Sequence, residues 1–92
     1  MRRRAVLIDA KDSVLTVLEP VAVGEVASAG GQEVVAVEPI PQYHKIARQR
    51  IACGQQIYKY GQPMGFATAE IEAGQWVHTH NVDSLDSGGK DV

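Results

Sequence analysis

The sequence predicts an all-β domain of short strands joined by tight turns, and three observations point that way. Apolar residues make up 45% of the 92, and Val, Ala and Ile dominate them, a choice that favours pleated, half-buried surfaces. Turn signals built on Gly, Pro and Ser recur roughly every eight to twelve residues, the rhythm of a compact β fold. No stretch carries an apolar stripe at helical spacing long enough to predict a helix.

Taken in order, Ala5 to Ile8 is a short apolar run, and Val14 to Leu18 is a β-branched run closed by Pro20. Gly24-Glu25-Val26 leads into the "SAGGQ" turn, beyond which Val34 to Val37 is rich in valine. The segment "HKIARQRI" reads as a strand by its alternation, although Ile46, Ala47, Arg50 and Ile51 also suit a helical turn. "IACGQQI" from Ile51 and "IEAGQWV" from Ile71 share one plan: apolar, two residues, Gly-Gln, one residue, apolar. Each is expected to place glycine at a positive φ and to feed an outgoing strand. Two copies are too few for a solenoid and predict a repeated device inside one fold. Between them "KYGQPMG" predicts a tight loop, with Tyr58 and Tyr60 packing and Lys59 turned outward. "WVHTHN" predicts a strand, and residues 86–92 a flexible polar tail after a single domain over 1–85.

Net charge is −2 with a pI near 5.8 and a mean hydropathy of −0.14. This is the composition of a soluble globular protein, with no global positive field to draw in nucleic acid or an anionic membrane. Arg2-Arg3-Arg4 is expected to be a solvated terminal tag, because the apolar run after it is too short for a signal peptide. No segment is apolar for long enough to span a bilayer. The single cysteine, Cys53, excludes an internal disulfide and a cysteine-cluster zinc site. It is expected to be a small buried thiol in a reducing cytoplasm.

The chemistry concentrates in "WVHTHN". In an extended chain His78 and His80 share a face, and neutral imidazoles so held suit a divalent transition metal. Exposed histidines at a strand end also commonly do no more than hydrogen-bond locally. His44 is a possible third imidazole, able to pass a proton near neutral pH. Lys45, Lys59 and Asn81 offer donors to a carboxylate or hydroxyl of a small acid. The plainer alternative for Lys45, with Arg48 and Arg50, is a solvated charged face. Gly54, Gly61, Gly65 and Gly74 read as turn formers rather than a phosphate cradle, since none precedes a predicted helix. Trp76 reads as core or as an interface anchor.

The run "IPQYHKIARQRIACGQQIYKYGQPMGFATAEIEAGQWVHTHNVDSL", Ile40 to Leu85, resembles the SAF-type (β-clip) domain of altronate and galactarate dehydratases. It is also similar to the small subunit of sulfolactate sulfo-lyase. The matching elements are HKIA, then I-x-x-G, then KYG-x-x-M-G-x-A-T, then I-x-x-G-x-x-VH-x-HN, in that order. The resemblance implies a β-clip fold, cytoplasmic location, and β-elimination from a sugar acid such as altronate or galactarate, or loss of sulfite in the sulfo-lyase variant. It further implies a divalent metal, iron or manganese, and a large catalytic subunit that completes the site. His44, His78 and His80 would then be catalytic, His78 and His80 metal ligands, and Lys45, Lys59 and Asn81 substrate contacts. A non-catalytic module binding a small acid or metal is the alternative. One departure stands out: Tyr43 occupies the place of a family glycine before HKIA.

Overall fold

A computed structural model describes residues 1–84; the tail expected at 86–92 lies outside them. The described residues are all-β, as predicted. The strands are β1 (Arg2–Val6), β2 (Val14–Val17), β3 (Val26–Ala29), β4 (Gln32–Val35), β5 (Lys45–Ala47), β6 (Gln56–Lys59), β7 (Gln62–Ala67), β8 (Trp76–Val77) and β9 (Val82–Ser84). They form a curled six-stranded sheet in the order β4-β3-β1-β2-β5-β8 and a three-stranded sheet in the order β6-β7-β9. "HKIA" is thus a strand at Lys45–Ala47, and no helix long and apolar enough to cross a membrane occurs among the described residues.

Strands β2 and β5 form the wall between two cores. Successive side chains on a strand point to opposite faces, so Leu15, Val17 and Ile46 enter one apolar cluster with Val21, Ala27 and Ile40. Val14 and Ala47 enter the other with Ile51, Ile57, Ala67, Ile71 and Val77. Leu15 is 0% exposed; burial of a leucine contributes about 1.5–3 kcal/mol.

The two-copy echo of the sequence is a four-copy device in three dimensions. Val21, Ile40, Ile51 and Ile71 are each buried and bridge in pairs, Val21 with Ile40 and Ile51 with Ile71. Each is followed by a β-turn closed by a backbone hydrogen bond: Glu25 to Ala22 at 3.0 Å, His44 to Pro41 at 3.1 Å, Gln55 to Ala52 at 2.9 Å and Gln75 to Glu72 at 3.1 Å. The third residue of each turn has positive φ, 88° at Gly24, 66° at Tyr43, 85° at Gly54 and 93° at Gly74, as a type II turn requires. Each turn then launches a strand, β3, β5, β6 or β8. Only the Gly-Gln copies at Ile51 and Ile71 stood out in the sequence, because Glu25 replaces the glutamine in the first copy and Tyr43 the glycine in the second.

Several expectations are corrected. Arg2, Arg3 and Arg4 are not a tag but most of β1, which pairs in parallel with β3. Arg2 meets Glu33, and Arg3 meets Glu25 and Glu19; these carboxylates are distant in sequence, so the run alone cannot reveal them. Cys53 is exposed at a turn rather than buried. Tyr60 does not pack inward: Tyr60 and Gly61, at φ 58° and 75°, form the two-residue turn of the β6–β7 hairpin. Gly65 is not a turn former but lies inside β7, where an added Cβ would sit 2.1 Å from the Asp83 carbonyl oxygen of β9.

Candidate functional site

The site is assembled by the β5–β8 pairing. Lys45 stands opposite Val77 and Ile46 opposite Trp76, so the antiparallel register sets His44, in the turn before β5, against His78, just past β8. The two imidazole centroids lie 5.0 Å apart.

The extended ribbon expected for "WVHTHN" is not what forms. Strand β8 ends at Val77, and His78 to Asn81 make a turn in which the Asn81 N–H donates to the His78 carbonyl at 3.1 Å. Asn81 is responsible. Its Oδ1 accepts the His78 N–H at 2.9 Å, and its Nδ2 donates to the Trp76 carbonyl at 2.9 Å. Asparagine competes with strand pairing by such local bonds, and here it overrides the alternation. Asn81, at 9% exposure, therefore locks the histidine turn with both ends of its amide.

Trp76 gathers the imidazoles. His78 stacks on the indole with centroids 5.2 Å apart and planes at 7°. His44 meets it edge-on at 5.5 Å, and His80 lies 5.3 Å away. The indole Nε1–H donates to Nδ1 of His44 at 3.2 Å, and the Trp76 backbone N–H donates to Glu38 at 2.9 Å. Sequence reasoning placed Trp76 beside the histidines but missed it as their hub; the signal lay in the fourth turn, which places it opposite Ile46.

His44 owes its freedom to Pro41. In three of the turns the residue after the positive-φ position folds its side chain back to accept the N–H of the turn's first residue. Glu25 caps Ala22 at 2.9 Å, Gln55 caps Ala52 at 3.0 Å and Gln75 caps Glu72 at 2.6 Å. The second turn begins with Pro41, which has no N–H, so residue 44 is released from that duty and His44 reaches Trp76 instead.

The electrostatics separate the groups. His78 is exposed overall, yet the indole covers one ring face. That desolvation is the first cause lowering its pKa, followed by the electrostatic influence of the neighbouring His44, His80 and Lys45. The pKa of Lys45 is lowered first by burial and then by Lys59 beside it. Lys59 itself lies with Nζ 4.8 Å over the Tyr60 ring. Lys45 thus lies between Lys59 and the imidazoles. The imidazoles do not fit a metal by themselves: among the described residues no three His, Cys, Asp or Glu side chains group to hold one ion.

Comparison with known proteins agrees with the motifs. A family model of the altronate/galactarate dehydratase SAF domain matches residues 3–85. Altronate dehydratase of Escherichia coli (strain K12) is 40% identical over 74 residues, covering 80% of this chain. Altronate dehydratase of Bacillus subtilis (strain 168) is 38% identical over the same length. The chain spans about 15% of the length of these two relatives.

Proposed function

This chain belongs to the SAF-domain family of altronate and galactarate dehydratases, and on that premise we propose that it is the small subunit or accessory domain of a cytoplasmic lyase that dehydrates a sugar acid. In this reading it lends imidazoles and amines to a site that a large catalytic partner completes, and alone it is inactive. The observation that carries the reading is the convergence of His44, His78 and His80, all within the matched motifs, on one tryptophan.

Dehydration by β-elimination needs a base for the proton on the carbon beside the carboxylate and a proton donor that lets hydroxide depart as water, a donor that in this reading the large partner supplies. His78, whose lowered pKa keeps it neutral near pH 7, has the free lone pair a base needs. Lys45 and Lys59 supply positive charge for the carboxylate, and the enolate-like charge that develops there gains from it. An iron or manganese ion enters only as one held mainly by the partner, because the described residues do not group three ligands; no step here runs through it.

The test is co-expression with a candidate large subunit. Lyase activity toward altronate or galactarate that appears only when both chains are present supports the reading. Tight binding of sugar acid by the isolated chain, with no activity in any complex, favours a binding module instead.

A further inference from the structure

The second of the four turns differs from its siblings in a way that fixes the working state of one ring. Glu25, Gln55 and Gln75 all spend a side-chain acceptor on their own turn. His44 occupies the same position but meets no N–H at Pro41, and its Nδ1 lies 3.2 Å from the indole Nε1 of Trp76. An indole nitrogen donates only, so the Nδ1 that receives it must be bare. In a neutral imidazole with a bare Nδ1 the proton sits on Nε2.

We propose that Trp76 is a positioning residue that commits Nδ1 of His44 as an acceptor and so makes Nε2–H the only ring group His44 offers a ligand. His44 is then a neutral hydrogen-bond donor to an oxygen of the bound hydroxy acid. It is neither a metal ligand, which needs a lone pair, nor a proton-transfer acid, because a neutral ring giving up its Nε2 proton would be left an anion. A neutral imidazole that polarises a substrate oxygen without transferring a proton is a known catalytic device. The proposal rests on the shared-site reading for what His44 touches, and on geometry alone for the state of the ring.

The experiment is nitrogen NMR on the full chain labelled with 15N at histidine and tryptophan, at neutral pH and without partner or substrate. The expected result is a through-hydrogen-bond coupling between Trp76 Nε1 and His44 Nδ1, with the proton of His44 on Nε2. In Trp76→Phe, which keeps an aromatic ring but removes the N–H, the coupling is lost and the His44 Nδ1 resonance moves. A protonated Nδ1, or no coupling in the wild-type chain, overturns the proposal, and this readout stands even where the variant fails to fold. In the assembled enzyme Trp76→Phe is expected to lower kcat by about three- to tenfold, the scale of one neutral hydrogen bond. A complex inactive on every sugar acid would sink the shared-site reading while leaving the ring assignment to the NMR result.

Discussion

The indole of Trp76 and the imidazole of His78 lie nearly parallel, 7° apart with centroids at 5.2 Å, so the ring with the depressed pKa is the one whose face is covered. A lowered folded-state pKa means the unfolded chain binds more protons at His78 between the two values, so stability rises with pH across that window. The contribution is therefore lost as pH falls from about 6.5, the unfolded value. Burial is the first cause of the lowering, and the neighbouring His44, His80 and Lys45 act in the same direction. Thermal melts are expected to show a falling Tm on acidification through this range, with a smaller fall in His78→Gln. The acidic side chains of Glu19, Glu25, Glu33 and Glu70, all with lowered pKa, lose their contribution only below about 4.5 and do not confuse the measurement.

On the shared-site reading, His78→Ala is expected to cost two or more orders of magnitude in kcat of the reconstituted complex, the range of a lost general base. His44→Ala, if the ring only donates a hydrogen bond, is expected to cost less. Equal losses in steady-state kinetics would argue that both rings transfer protons.

Asn81→Ala removes both bonds that lock the histidine turn. With the asparagine largely buried, about 1–3 kcal/mol of stability is expected to go, measured by urea denaturation. Activity in the complex is expected to fall as well, since His78 and His80 lose their fixed turn.

Two glycines at the same place in the repeat should respond differently to alanine. Gly54 has φ 85° with nothing near an added Cβ, whereas at Gly74 that atom would lie 2.1 Å from the Val35 carbonyl oxygen. Gly54→Ala is expected to cost about 1–2 kcal/mol from the left-handed backbone alone. Gly74→Ala should cost about 4 kcal/mol or more, because a backbone clash is added. Equal denaturation midpoints for the two variants would sink this account.

Tyr43 holds φ 66° while 64% exposed, a conformation that costs a non-glycine residue roughly 1–2 kcal/mol. Tyr43→Gly relieves that strain and adds back about 0.5–1 kcal/mol of chain entropy. The expected outcome is a gain in stability of up to about 1 kcal/mol by chemical denaturation, with the turn before His44 unchanged in its amide spectrum.

What the sequence disclosed depended on whether the cause was local. The valine and isoleucine strands, the positive-φ glycines at 54 and 74, and the strand at HKIA follow from residue types and spacing within a few positions. The fate of Arg2 to Arg4 depends on Glu19, Glu25 and Glu33, which no local pattern marks. The alternation of "WVHTHN" was legible and misleading, because one asparagine amide outweighs it. His44, His78 and His80 stood out in the sequence as candidates, but their grouping around Trp76 depends on the β5–β8 register, which appears only on folding.

Because Pro41 asks nothing of the side chain three positions on, residue 44 is the one member of its set whose side chain its own turn does not employ. Exchange there leaves every turn bond made by backbone atoms in place. The domain thus carries a vacancy in its own architecture, where new reactivity can be tried without first relearning how to fold.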